Sequence, residues 1–136
     1  MKVVLDTNVF ISGIFFSGPP SRILEAWKNR RFEIVLSRQI ISEYQRVAEE
    51  LSSKFPTIDI MPIIEMLTIH GTFVDTKNLD ISLCKDPDDD KFIECAVAGG
   101  CKIIISGDKH LLSIKKYQDI TILTPRHFVF KFLKFF

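Results

Sequence analysis

Acidic residues are the side chains in this sequence whose positions suggest chemistry. Asp6 directly follows the apolar run Val3-Val4-Leu5, and Asp108 comes shortly after a second apolar run, Ile103-Ile104-Ile105. Such runs are typical of strands that are buried on both faces. A carboxylate at the end of a buried strand is costly unless a partner stabilises it. Groups elsewhere in the chain must therefore meet these two carboxylates.

A second concentration of negative charge is the run Asp86-Pro87-Asp88-Asp89-Asp90. A helix dipole stabilises a carboxylate at its start by roughly 0.3 to 1 kcal/mol, which accounts for only part of this charge. Like charges so close together repel and raise one another's pKa unless a cation lies between them. Helical spacing directs Asp89 and Asp90 toward the core and Asp88 elsewhere. The spacing alone leaves open which of Asp89 and Asp90 is a ligand.

A further acid, Glu43, falls beside an apolar helix face that includes Ile40, Tyr44 and Val47. We expect its side chain to be half-buried, the alternative being an exposed glutamate at the rim. A cluster of carboxylate oxygens without histidine or cysteine suits Mg²⁺ or Mn²⁺ and argues against zinc. Such ions activate water for attack on a phosphodiester. The reaction indicated is therefore phosphodiester hydrolysis.

The elements that carry these acids alternate along the chain. The predicted strands cover residues 2–5, 32–36, 71–74, 102–105 and 120–123. Helices are predicted between them and at the end, with Ser21, Ser37 and Asp86 as N-caps. This alternation predicts an α/β fold of three layers, α/β/α, whose central and mostly parallel sheet has four to five strands. Because the carboxyl ends of parallel strands form one crevice, Asp6 and Asp108 should meet there.

Length and composition are those of one ordinary globular domain over residues 1–136. No signal peptide or membrane span is predicted, so we expect a cytoplasmic protein. The cysteines, Cys84, Cys95 and Cys101, lack C-x-x-C spacing and are expected to be free thiols. The net charge of +1 does not by itself predict a polyanionic partner. If cations neutralise the acidic cluster, however, the remaining surface is basic. The candidates for phosphate contacts are then Lys28, Arg30, Arg31, Arg38, Lys109, His110, Lys115 and Lys116. Ordinary solvated charges explain each of these residues equally well.

Four segments together resemble the PIN-domain family, and most of all the branch of VapC-like toxins from toxin–antitoxin systems. They cover nearly the whole chain in the family's order and spacing. The segments are Val4-Leu5-Asp6-Thr7-Asn8-Val9, Ser42-Glu43, the stretch from Asp86 to Ala96, and Ile105-Ser106-Gly107-Asp108-Lys109-His110-Leu111-Leu112. The resemblance implies a metal-dependent ribonuclease with a parallel sheet between helices.

The resemblance also implies roles for individual residues. The acidic quartet at the metal would be Asp6, Glu43, Asp90 and Asp108. Asp88 would be an extra ligand, whereas Asn8 and Ser106 would be polar supports for the first aspartate or for a water at the metal. We count Arg38, Lys109 and His110 as candidates for gripping the RNA strand. The cofactor would be Mg²⁺ or Mn²⁺.

The partners that the resemblance implies are single-stranded RNA as substrate, a cognate antitoxin protein, and a second copy of the chain in a homodimer or higher oligomer. Two other functions remain open. A strand that ends in Asp6-Thr7 is also typical of aspartyl-phosphate phosphohydrolases and receiver-like domains, but Asn8 stands where the phosphatase pattern has a second aspartate. The other alternative is a non-catalytic RNA-binding module.

Overall fold

A computed structural model describes residues 1–133 and confirms an α/β fold. Its strands are β1 (Lys2–Leu5), β2 (Glu33–Leu36), β3 (Thr72–Phe73), β4 (Ile103–Ile105), β5 (Lys116–Tyr117) and β6 (Ile120–Leu123). They form one sheet in the order β3-β2-β1-β4-β6-β5. Every neighbouring pair is parallel except β5 and β6. The sheet is thus mostly parallel, as predicted.

The strand count of four to five is corrected to six within residues 1–133. The strand that the sequence did not reveal is β5, which has only two residues and no apolar alternation. It forms because the chain turns back at Gln118, whose φ is 53°, and pairs with β6 in an antiparallel hairpin. Periodicity cannot detect a strand that short.

The helices flank this sheet. They are α1 (Thr7–Phe15), α2 (Pro19–Lys28), α3 (Arg38–Ser52), α4 (Met61–His70), α5 (Asp90–Gly99), α6 (Lys109–Ile114) and α7 (Pro125–Phe132). Helix α1 packs against α2 and α3, and α5 lies against β1, β2 and β4. No helix within residues 1–133 has the length and apolar character needed to cross a bilayer.

Two helix starts differ from the prediction. Helix α2 begins at Pro19, after Gly18 rather than after Ser21, because consecutive prolines are already in a conformation that suits the first helical turn. At the acidic run, Asp86 does act as a cap, with its carboxylate accepting from Asp88 N at 3.0 Å. It caps a 3₁₀ turn over Pro87–Asp89, and α5 itself begins only at Asp90. The predicted cap of α3 is confirmed, because Ser37 Oγ accepts from Ile40 N.

Strands β1 and β4 lie in the middle of the sheet. Val3, Val4, Leu5, Ile104 and Ile105 have no exposed surface, and burial of each such side chain contributes about 1.5 to 3 kcal/mol. From β1 the chain proceeds to β2 on one side, whereas β4 lies on the other side. The carboxyl ends of β1 and β4 therefore flank a topological switch point, where open α/β sheets form their ligand crevice.

Aromatic side chains attach α3 to this switch point. Tyr44 donates its hydroxyl hydrogen to the carbonyl of Leu5, the last residue of β1. The Tyr44 ring also stacks on Phe10 of α1, with centroids 4.3 Å apart and planes 11° apart. These contacts place Glu43, the preceding residue, beside the end of β1.

The C-terminal segment from Phe128 onward is rich in aromatic residues, and one face of its described part is buried. Phe128, Val129 and Leu133 are buried, whereas Phe130 is 76% exposed. The last three residues of the segment, 134–136, lie outside the described residues.

Candidate acidic site at the sheet edge

Asp6 is buried at the carboxyl end of β1, with 4% of its surface exposed. Its Oδ1 accepts from Val9 N at 2.9 Å, which caps α1, and its Oδ2 accepts from the Ser106 hydroxyl. Burial raises the pKa of Asp6, and the charge of Asp108 raises it further, against the hydrogen bonds from Ser106, Val9 and Gly107. Asp6 is therefore a firmly oriented carboxylate with excess negative charge nearby.

Ser106 connects Asp6 to Asp108. Residues Leu5 and Ile105 are paired in the sheet, so Asp6 and Ser106 occupy the next position on adjacent strands. The Ser106 hydroxyl donates to Asp6 and accepts from Asp108 N at 2.9 Å. Asp108 in turn accepts from His110 N at 2.7 Å and caps α6. The structure thus brings Asp6 and Asp108 to one crevice, and Ser106 holds both.

Asp90 is hydrogen-bonded to the loop that precedes the acidic run. It is 7% exposed, and its Oδ1 accepts from Leu83 N at 3.0 Å and from Cys84 N at 2.7 Å. Burial raises its pKa, but the hydrogen bonds from Cys84 and Leu83 outweigh burial and leave the pKa below its usual value. The Asp90 carboxylate therefore stabilises the loop that precedes the acidic run.

Asp89 lies close enough to Asp108 for the two carboxylates to repel each other. Burial raises the pKa of Asp89 to about 6, and the largest charge contributions come from Asp108 and then Asp86. An acid that is hard to ionise beside another acid is typical of a site that awaits a cation. Asp89 is therefore the residue of the pair whose charge interacts with that of Asp108, whereas which of Asp89 and Asp90 is a ligand stays a prediction.

Glu43 and Asp88 converge on a lysine. Glu43 is half-buried, as predicted, and its Oε2 accepts from the Thr7 hydroxyl. Lys91 Nζ lies 3.0 Å from Glu43 Oε1 and 2.8 Å from Asp88 Oδ2. Burial lowers the pKa of Lys91, but the bonds to Asp88 and Glu43 outweigh it, so the net pKa is raised and the ammonium stays charged. Glu43, Asp88, Lys91 and three neighbours line a cavity of about 350 Å³.

The other predicted site residues are exposed. Asn8 lies in the first turn of α1 and makes no hydrogen bond to Asp6, which is held by Ser106 instead. Lys109 and His110 begin α6 beside Asp108. Arg38 begins α3 and lines a groove of about 1150 Å³ together with Phe73.

Three of the basic residues singled out in the sequence lie elsewhere. Lys28, Arg30 and Arg31 line a pocket of about 500 Å³ with Met1 and Glu33. Met1 and Glu33 mark the amino ends of β1 and β2, so this pocket is at the opposite edge of the sheet from Asp6. These residues therefore do not belong to the acidic site.

The donors present suit a hard divalent ion. Within residues 1–133, no three acidic, histidine or cysteine side chains stand close enough together to form a ready metal cage. Mg²⁺, however, is usually held by one or two carboxylates together with waters and substrate phosphates. The carboxylates of Asp6, Asp89 and Asp108 provide such oxygens. Burial is the main cause of the raised pKa values of Asp6 and Asp89, and the charge of Asp108, which raises both further, is the part that a cation would offset.

Sequence reasoning missed two residues that organise the site. Thr7 was seen only as part of the first motif, yet its hydroxyl donates to Glu43. Lys91 has no predicted role, although it stands three residues after Asp88, the spacing at which oppositely charged side chains meet on a helix. That spacing is the signal that would have identified Lys91.

The fold and the site define an α/β protein with carboxylates at the topological switch point of a parallel sheet. The chain belongs to the PIN domain family, whose model matches residues 2–110. PIN domains are generally nucleases, and those nucleases generally use divalent metals.

One relative by sequence and one solved structure are similar to this chain. The chain is 30% identical over 150 residues to the uncharacterized protein MJ1680 of Methanocaldococcus jannaschii, an alignment that covers 99% of this chain and 94% of that protein. The fold of the present chain is similar to that of a chain in the crystal structure of VapBC2 from Rickettsia felis bound to a DNA fragment from their promoter. The TM-score is 0.55 at 15% identity, over 91% of this chain and 98% of that chain.

Proposed function

We propose that the protein is a divalent-metal-dependent endoribonuclease that hydrolyses phosphodiester bonds of single-stranded RNA. The observation that supports this most is the meeting of Asp6 and Asp108 at the switch point between β1 and β4, with Asp89 close enough for the charge of Asp108 to raise its pKa. This grouping occurs in a chain of the PIN domain family, which agrees with a nuclease.

Asp6, Asp89 and Asp108 would hold the ion, either Mg²⁺ or Mn²⁺. The ion would supply the charge that activates a water and stabilises the oxygens around the scissile phosphorus. Ser106 and the backbone of Val9 fix the orientation of the Asp6 carboxylate, so it need not reorganise on binding. Glu43, held by Thr7 and Lys91, would orient the attacking water.

The substrate would approach over the carboxyl edge of the sheet. Lys109 and His110 are exposed beside Asp108, and Arg38 is exposed at the start of α3. The groove that Arg38 lines also contains the half-exposed ring of Phe73, which could stack on an unpaired base. Unpaired bases are available in single-stranded RNA and not in a duplex.

The test is incubation of labelled single-stranded RNA with the purified protein in Mn²⁺, beside a chelator control. We expect Mn²⁺-dependent cleavage that Asp6→Asn abolishes while the fold persists, since the amide occupies the same volume and removes a buried charge. Asp119→Asn is the matched control, because Asp119 is exposed at the other edge of the sheet. Wild-type cleavage by Asp6→Asn would refute the assignment.

Two alternatives are outcomes of the same experiment. RNA that is bound but never cut in Mn²⁺ would indicate a non-catalytic RNA-binding module. A phosphoaspartate trapped on Asp6 would indicate an aspartyl-phosphate enzyme or receiver-like domain. The geometry disfavours the latter, because Asp6 is 4% exposed and both of its oxygens already accept hydrogen bonds.

We further propose that this nuclease is the toxin of a toxin–antitoxin pair and forms homodimers or higher oligomers. The similarity of its fold to a chain of the VapBC2 complex supports this proposal. Co-expression with the product of the adjacent gene should yield a complex that no longer cleaves RNA. Light scattering of the purified chain tests the oligomeric state, and a monomer at all concentrations would contradict that part of the proposal.

A further inference from the structure

Lys91 places a buried positive charge among the acids of the site. Only 8% of its side chain is exposed. Its ammonium lies 2.8 Å from Asp88 Oδ2, 2.7 Å from the backbone oxygen of Asp88 and 3.0 Å from Glu43 Oε1. An ammonium has three hydrogens to donate, so each has an acceptor here.

The two carboxylates that meet this ammonium come from separate elements. Glu43 is on α3, whereas Asp88 is in the 3₁₀ turn before α5. Carboxylates from two elements that converge on one point are what a metal-binding position requires. In this protein the point is occupied by a side chain of the chain itself.

A divalent ion shared by Glu43 and Asp88 would have to lie in contact with the ammonium. Two cations at that distance repel strongly in a partly buried site, so the lysine or the ion must leave. Departure of Lys91 would break both of its ion pairs, its hydrogen bond to the backbone oxygen of Asp88 and its contact with the Phe92 ring, whose centroid is 4.9 Å from Nζ. The ion is therefore the cation that is excluded.

We propose that the Lys91 ammonium permanently fills the cation position between Glu43 and Asp88, so that the acidic site takes a single divalent ion, on the side of Asp6, Asp89 and Asp108. This inference rests on the proposed function, because it assigns roles within the same site. Lys91 is then a positioning residue: it fixes the Glu43 carboxylate, and Thr7 fixes the other oxygen. Asp88 holds Lys91 and is not a ligand of the ion.

The test counts bound Mn²⁺ by equilibrium dialysis, with the free ion measured by electron paramagnetic resonance. We expect the wild type to bind a single Mn²⁺ per chain. Lys91→Met removes the ammonium but keeps a side chain of similar length, and should admit a second Mn²⁺. Lys109→Met is the control for loss of positive charge next to the site, because Lys109 is exposed and bridges no acids. It should bind a single ion, like the wild type.

A second variant makes the test independent of whether Lys91→Met folds. Asp88 is 71% exposed, so Asp88→Asn should fold normally. If Asp88 holds only Lys91, its loss should change the Mn²⁺ affinity by less than about threefold, whereas loss of a ligand or its direct support costs roughly tenfold or more. A tenfold loss in Asp88→Asn would overturn the inference.

The remaining outcomes of the Mn²⁺ count also test whether Lys91 limits the site to a single ion. Two bound ions in the wild type, none in the wild type, or an unchanged count in a folded Lys91→Met would each overturn it. Two ions together with RNA cleavage would refute the role of Lys91 and leave the nuclease intact. A single ion that rises to two in Lys91→Met, without any RNA cleavage, would support the role of Lys91 and refute the nuclease.

Discussion

At the scale of single residues, the acidic side chains of this chain have the same functional group but different structural roles. Asp6 and Asp108 cap helices with one oxygen and face the crevice between β1 and β4. Asp90 uses its carboxylate to bind two backbone N–H groups of a loop. Asp89 has a raised pKa because it is partly buried near other acids. The hydrogen-bond partners of these aspartates therefore differ, and so do the elements that each carboxylate holds in place.

We predict opposite effects of alanine at Asp89 and Asp90. Asp90→Ala leaves the N–H groups of Leu83 and Cys84 without their charged acceptor, which should lower the free energy of unfolding by about 1.5 to 3 kcal/mol. Asp89→Ala removes a repelling charge, so stability in chelator should be unchanged or higher, while Mn²⁺ binding weakens. Urea unfolding followed by circular dichroism, with Mn²⁺ titration, measures both. Equal losses of stability would contradict the assignment.

At the scale of elements, α3 is the part that connects the two halves of the site. Its N-cap Ser37 follows β2 directly, and Tyr44 binds the end of β1. Glu43 lies between these attachments and therefore points to the same edge of the sheet as Asp6. A small shift of α3 would separate the two carboxylates.

The attachment of α3 can be tested with Tyr44→Phe. The change keeps the ring stacked on Phe10 but leaves the Leu5 carbonyl without its donor. Loss of one buried hydrogen bond should lower the free energy of unfolding by about 1 to 2 kcal/mol and reduce RNA cleavage, because Glu43 loses its anchor. Tyr117→Phe, on the edge strand β5, is the control and should change neither quantity. A fully stable and active Tyr44→Phe would show that the bond does not position α3.

At the scale of the whole molecule, one continuous core underlies the sheet and gives the site a rigid base. The core includes the fully buried strands β1 and β4 and the buried faces of the helices around them. Two of the cysteines, Cys95 and Cys101, are part of it, and Cys84 is half-buried near the acids. All three are free thiols, as the sequence predicts.

The thiols report on the integrity of this core. Burial raises the pKa of Cys84 and Cys95 to about 12 and that of Cys101 to about 11. Because only the thiolate reacts, we expect labelling of the native protein at pH 8 to be slower than that of free cysteine by more than roughly a hundredfold. In denaturant all three thiols should be labelled as fast as free cysteine. Rapid labelling of one thiol in the native protein would reveal local opening around it.

The sequence by itself determined the alternation of strands and helices and the acids that follow β1 and β4. It also determined the half-buried position of Glu43 and the cap at Ser37. These features follow from local patterns: a short apolar run predicts a buried strand, and helical spacing predicts a face. The carboxyl ends of parallel strands share one edge, so even the meeting of Asp6 with Asp108 was predictable.

Only the tertiary structure decided the different surroundings of Asp89 and Asp90, the ion pairs of Lys91 with Glu43 and Asp88, and the hairpin of β5 and β6. Each depends on groups that come from other elements: the N–H group of Cys84 binds the carboxylate of Asp90, and Glu43 of α3 meets Lys91 of α5. Electrostatic and hydrogen-bond energies change steeply over a few ångströms. The role of a carboxylate is therefore determined by the groups that folding places next to it.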